Sequence, residues 1–147
     1  MSGTYRILLF CLLFVMIPVV SAAKMVSVAE NEVNLRSGPS EENEVLWVLD
    51  KGFPLQVIKS QGQWLKVRDF ENDVGWLYAR LASPTPHVIV KSKLANIRSG
   101  PGEKYKLTGQ ARHGVVFRTL GSTKNWIKVQ HESGKTGWVA RRVLWGW

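Results

Sequence analysis

The side chains with which this chain could do covalent or metal chemistry are few and scattered. A cysteine nucleophile needs a base beside it, and the single cysteine, Cys11, lies in an apolar N-terminal run. His87, His113 and His131 show no metal-ligand spacing, so neither a metal nor another cofactor is expected. General acid–base work needs paired carboxylates, and the second half of the chain holds only Glu103 and Glu132. Glu41, Glu42 and Glu44 crowd one predicted loop and read as a solvated acidic face. The sequence therefore points away from an enzyme and toward non-covalent recognition.

For that purpose the chain is well supplied, with seven tryptophans and a net charge of +9. The charge is unevenly placed. Residues 24–83 hold seven Lys and Arg against nine Asp and Glu, a net −2, whereas residues 84–147 hold twelve against two, a net +10. A field of that size on one half attracts polyanions and weakens steeply with salt. The candidate contacts are Lys104, Lys106, Arg112, Lys124, Lys128, Arg141 and Arg142, with Trp126 and its counterpart Trp64 as aromatic surfaces. An exposed tryptophan beside cations suits a sugar or peptide.

These residues are positioned by a duplication. "NLRSGPSEE" from Asn34 returns as "NIRSGPGEK" from Asn96, and the offset of 62 holds without a gap from Val26/Val88 to Leu81/Val143. Such a period over two whole units marks a repeated module. Aligned positions show a rewritten surface: Glu42, Glu44 and Asp50 become Lys104, Lys106 and Arg112, while Gly62, Asp73 and Ala79 become Lys124, Lys135 and Arg141.

Branched and aromatic runs predict strands over 45–49, 55–58, 64–68 and 74–77, and again over 115–120, 126–130 and 137–139. Period-two alternation turns Trp64 and Trp126 toward water and Val67 and Val129 inward. Gly38 and Gly100 are expected to supply positive φ in a folded-back loop, with Pro39 and Pro101 holding the preceding residue extended and Asn34 and Asn96 bonding to nearby backbone. Arg36 and Arg98 belong to the same motif, and Gly75-Trp76 and Gly137-Trp138 form a second one whose tryptophans pack.

The predicted architecture is all-β, two small partly open barrels in tandem. Residues 1–23 read as a signal peptide: Arg6, an apolar run from Ile7 to Val20 and small residues at Ser21, Ala22 and Ala23. The first module covers 24–82, a proline-containing linker 83–86 and the second module 87–147. Cleavage would leave no stable transmembrane span and no cysteine, in an exported, periplasmic or cell-surface protein.

The motifs "NLRSGPS…GWLYARL" and "NIRSGPG…GWVARRV" resemble bacterial SH3 domains, and both copies together cover essentially the whole mature chain. The resemblance implies a barrel of five to six strands in each half and a binding or targeting role. The groove proline and tyrosine of eukaryotic SH3 domains are absent, with Tyr78-Ala79-Arg80-Leu81 and Ala140-Arg141-Arg142-Val143 in their place. Proline-peptide recognition is therefore not expected. The expected partner is an anionic envelope polymer such as peptidoglycan or lipopolysaccharide, held chiefly by the second copy. Nucleic acid is chemically compatible but less accessible to an exported protein. The alternative is a periplasmic protein-interaction adaptor that uses the first copy or the terminal Trp145 and Trp147.

Overall fold

The computed structural model describes residues 23–147, so the signal-peptide reading lies outside the described residues. The first repeat contains β1 (Met25–Val28), β2 (Val33–Arg36), β3 (Val45–Leu49), β4 (Pro54–Gln61), β5 (Trp64–Arg68), β6 (Val74–Tyr78) and β7 (Ala82–Ser83). The second contains β8 (His87–Val90), β9 (Leu94–Arg98), β10 (Leu107–Arg112), β11 (Val116–Ser122), β12 (Trp126–Gln130), β13 (Thr136–Ala140) and β14 (Leu144–Gly146). Each repeat forms one seven-stranded sheet, ordered β3-β2-β6-β5-β4-β1-β7 and β10-β9-β13-β12-β11-β8-β14. A 3-10 turn links the last two strands of each, over Ala79–Leu81 and Arg141–Val143.

Alternation along the strands fills two separate cores. Val26, Val28, Val33, Leu35, Leu49, Leu55, Val67 and Leu77 pack in the first. Val88, Val90, Ala95, Ala111, Phe117, Ile127, Val129, Val139 and Leu144 pack in the second. Bulges recur at equivalent places, between Val57 and Lys59 and between Thr119 and Gly121. An extra residue of this kind bends a strand and lets a sheet curl over its own core.

The repeated motif departs from its expected conformation. Asn34–Arg36 and Asn96–Arg98 are strand, and the chain turns only after them. Positive φ falls on Gly52 and Gly114, at 88° and 84°, and not on Gly38 or Gly100. Those two glycines are required by close approach instead. A Cβ on Gly38 would stand 2.6 Å from Asn43 Oδ1, and one on Gly100 would overlap the Tyr105 ring. The arginines close the loop: Arg36 Nη1 donates to Asn43 O at 2.9 Å and Arg98 Nη1 to Tyr105 O at 3.0 Å. The asparagine of the second copy bonds across strands rather than to backbone, its Oδ1 accepting from Gln110 Nε2 at 2.9 Å.

The join between repeats is more than a spacer. Ser83 is paired with Ser27, and Ser27 Oγ donates to Thr85 O at 2.8 Å. On the other side Thr119 N donates to Pro86 O at 3.0 Å. His87 packs on Gly52, where a Cβ would meet the ring at 2.7 Å. Its Nδ1 lies 3.0 Å from Thr85 O, which fixes the proton there, and burial foremost pushes its pKa below 6.5.

A second tie is ionic. His113 Nδ1 lies 3.1 Å from Lys91 O and its Nε2 lies 2.9 Å from Glu71 Oε1. Both partners accept, so the contacts are complete only when both ring nitrogens carry protons, which favours the cationic ring. The bond to Glu71 foremost raises the His113 pKa above 6.5. A raised folded-state pKa contributes in full below the unfolded value and is lost as pH rises through the raised one. Raising the pH from about 6 to about 9 should therefore loosen this tie and separate the tumbling times of the two repeats in 15N relaxation. Glu71→Gln should remove most of that pH dependence, and a pH response equal to the parent's would show that the pair does not hold the repeats together.

Candidate ligand-binding face of the second repeat

The central strands of both sheets present a tryptophan at their first position. In the first repeat β5 pairs with β6 so that Trp64 lies opposite Tyr78. The two rings pack with centroids 5.4 Å apart, tilted by 54°, and Tyr78 Oη donates to Gln63 Oε1 at 3.0 Å. Trp64 is thus covered by its own neighbour. In the second repeat β12 pairs with β13 so that Trp126 lies opposite Ala140. Alanine leaves the partly buried indole without a ring partner, and a cleft of about 540 Å³ opens there.

The cleft is lined by Glu103, Lys124, Asn125, Trp126, Ala140, Arg141 and Arg142. Arg141 is held in place by two backbone carbonyls: Nε donates to Lys124 O at 3.2 Å and Nη2 to Thr123 O at 3.1 Å. Arg142 Nη2 stands 3.7 Å from Glu103 Oε1 with both side chains largely exposed. A pair so wet is weak and exchanges readily for an incoming anion. It also brings the 99–106 loop, with Lys104, to the rim.

The same face is uncovered at a second point. In the first repeat Lys59 Nζ lies 5.5 Å from the Trp76 ring, and Trp76 is only 8 % exposed. Position 59 corresponds to Gly121, and Trp138 is half-buried. Lys128, exposed on β12, is paired directly with Trp138. The second repeat therefore offers two indoles with cations between and beside them, a surface that suits the apolar faces of sugar rings and the carboxylates they carry.

The sequence candidates do not all converge. Lys124, Trp126, Arg141 and Arg142 line one cleft, Lys104 borders it through Glu103, and Lys128 lies on the adjoining strand face. Lys106 is exposed at the far end of its loop, where its carbonyl accepts from Ser99 N. Arg112, at the end of β10, lines a different cleft with Ile97 and Phe117. Sequence reasoning missed Ala140 and Gly121. The signal was there, in the aligned changes Tyr78 to Ala140 and Lys59 to Gly121, but a comparison by charge passes over losses of size. The described residues hold no group of three or more His, Cys, Asp or Glu placed to bind a metal ion, and none of their helices is long and apolar enough to cross a membrane.

Two curled sheets of this order, each with a loop clamped by arginine over the strand edge, define a tandem SH3-like binding module. The chain belongs to the bacterial SH3 domain family, which matches residues 29–84 and 91–146. Bacterial SH3 domains are cell-wall binding modules, and the domain itself is non-catalytic. The chain is 25 % identical over 161 residues to YrvJ of Bacillus subtilis strain 168, named as a candidate N-acetylmuramoyl-L-alanine amidase. The match takes in 98 % of this chain but only 31 % of that protein's length. Among solved structures, NlpC2 from Trichomonas vaginalis aligns over 84 % of this chain and 48 % of its own, with 12 % identity and a TM-score of 0.39. An NlpC/P60 family protein from Bacillus cereus aligns over 84 % and 56 %, with 14 % identity and a TM-score of 0.36.

Proposed function

We propose that this chain is an exported, non-enzymatic binding protein that holds an anionic cell-envelope polymer, of peptidoglycan or lipopolysaccharide type, on the Trp126 face of its second repeat. The observation that carries the reading is the loss of the tyrosine partner of Trp126, with a cleft in its place, at the point where the surface becomes cationic. The first repeat keeps the same strand, covers the indole with Tyr78 and leaves neutral Gly62 and Ala79 at the positions of Lys124 and Arg141. Solubility alone calls for charge, but not for an aromatic-lined cleft among the charges. Family membership and the amidase name of the Bacillus relative both support a cell-wall partner.

The test exchanges charge without touching the core. Lys104→Glu, Lys124→Gly and Arg141→Ala together place first-repeat chemistry or its near equivalent on the second scaffold. Surface substitutions of this kind move stability by about 0.5 kcal/mol each, so the protein should stay folded. Co-sedimentation with purified sacculi, and with lipopolysaccharide micelles, should weaken by about tenfold or more at low salt and lose much of its salt dependence. Undiminished sedimentation by the folded variant would remove the cationic cleft from the mechanism.

A protein partner remains the second reading, on one observation. The edge strand β3 exposes Val45, Leu46, Trp47 and Val48 in a row, the last by 59 %. Binding through that edge would persist at high salt, because burial of apolar surface is not screened.

A further inference from the structure

The second repeat has another opening, on the opposite side of β12 from the Trp126 face. In the first repeat β3 pairs with β2 so that Trp47 lies opposite Leu35 and Leu49 opposite Val33. Residues opposite one another share a sheet face, so Trp47 stands on the core side of the edge strand above Leu35, which is 1 % exposed, while the indole itself stays 40 % exposed at the rim. In the second repeat the same position is Gly109, opposite Ile97, and Ile97 is only partly buried. Two further reductions fall at the same place: Leu49 becomes Ala111 and Phe53 becomes Val115. One enlargement, Leu55 to Phe117, forms part of the wall.

The volume vacated is a cleft of about 660 Å³, with Ile97, Ala111, Val115, Phe117 and Val129 as its apolar wall. A cleft of this size lies within the ~300–1,000 Å³ range of ligand pockets. Its rim is cationic, with Arg112 and Lys135 where the first repeat has Asp50 and Asp73. The bordering strand β10 ends its sheet, and no described strand pairs with its outer edge. An extended peptide can therefore add to it by main-chain bonds.

We propose that this cleft is a peptide-binding site, distinct from the polymer face, that takes an aromatic side chain from an acidic, extended segment of a partner protein. The first repeat shows what fits the volume. There an indole, Trp47, stands at the rim of the corresponding place, half-exposed on an extended strand, with Glu44 before it and Asp50 after it. The second repeat has lost the indole and gained the two cations that would meet such flanking carboxylates. An acidic aromatic peptide supplies ring, charge and strand at once.

The probe is acetyl-Glu-Leu-Trp-Asp-Glu-amide, titrated into the 15N,13C-labelled protein and followed by NMR. Shifts should concentrate on Ile97, Ala111, Val115 and Phe117, with Trp126 little affected. The Trp→Ala peptide and an all-Lys counterpart of the acidic residues should each bind at least tenfold more weakly. Gly109→Trp places the first repeat's indole at the mouth of the cleft. A Cβ at Gly109 meets nothing nearer than Ile97 Cδ1 at 3.9 Å, so the backbone accepts a side chain there. That variant should lose peptide binding while pelleting with sacculi as before. Should it fail to fold, the exposed double change Arg112→Asp and Lys135→Asp should likewise abolish peptide binding, read in the peptide titration alone because it also lowers the charge of the second repeat. The proposal is overturned by absent shifts at the cleft, by equal binding of the Ala peptide, or by undiminished binding to either folded variant. It is also overturned if decanoate shifts these resonances and the peptide does not, which would mark an acyl site, or if they shift with protein concentration alone, which would mark self-association. None of these outcomes bears on the Trp126 face, which the sacculus assay reads separately.

Discussion

Ala140→Tyr with Gly121→Lys should strip the second repeat of the polymer affinity proposed for it and leave it folded. Both residues are those of the first repeat at the aligned positions, Tyr78 and Lys59. The register of β12 with β13 places residue 140 opposite Trp126, as Tyr78 stands opposite Trp64. The new ring should tilt onto the indole, and its hydroxyl should reach Asn125, which replaces Gln63. Lysine at 121 should then lie over Trp138 as Lys59 lies over Trp76. Stacking on an aromatic surface contributes about 1–3 kcal/mol per ring, so covering both should weaken binding by about 30-fold or more. The charges are untouched or increased, so this variant separates the aromatic contribution from the cationic one. Calorimetric titration with soluble peptidoglycan fragments, beside a thermal melt, is the measurement. A folded double variant that binds like the parent would show that the indoles only pack.

The largest effect on stability should follow from a single methyl group at Gly137. A Cβ there would overlap the Ile97 side chain and stand 3.2 Å from Arg98 O, so backbone as well as side chain is in the way. The strands β9 and β13 meet at this point, with Trp138 opposite Arg98. Overpacking of this kind costs about 1–3 kcal/mol, and more where backbone must shift. A module of this size has only about 3–5 kcal/mol to lose. Gly137→Ala should therefore unfold the second repeat, or nearly so, at growth temperature while the first keeps its melting transition. Gly75→Ala should do the same to the first, since its Cβ would stand 2.5 Å from Leu35 Cγ and 3.3 Å from Arg36 O. Gly134, at φ 86° with open space around it, makes the control, because alanine there meets only backbone strain of about 1–2 kcal/mol. Differential scanning calorimetry resolves the cases. Two unaltered transitions for Gly137→Ala would mean that the strands have room to part.

Strands bracketed by strong turns were legible from sequence to the residue. Val45–Leu49, Trp64–Arg68 and Trp126–Gln130 lie between glycine or asparagine turns and carry branched or aromatic runs. Strands that depend on a distant partner were not. β1, β7, β8 and β14 are two to four residues long and exist through pairing with one another and with β4 and β11. Such pairing leaves little local trace. The glycines of the motif were identified as structural, but for positive φ rather than for the Asn43 and Tyr105 side chains that press against them. A sequence gives residue types near a turn, not which side chain folds back over it. In the site, charge was visible because cations are conspicuous in alignment. The cleft beside Trp126 was not, because it results from a neighbour's becoming small.

The closing strands also set how each repeat yields to a pull. β14 runs antiparallel to β8 with Gly146 opposite Val88, so the two ends of the second repeat emerge side by side. The first repeat has the same arrangement, with Ser83 opposite Ser27. A load applied across adjacent ends falls on one hydrogen-bonded pair at a time, and the ladder unzips rather than shears. Each barrel is therefore mechanically soft along the chain axis. A load carried on the Trp126 face, where the proposed polymer would attach, falls on the fourth of seven strands, flanked on both sides and far from either end of the ladder.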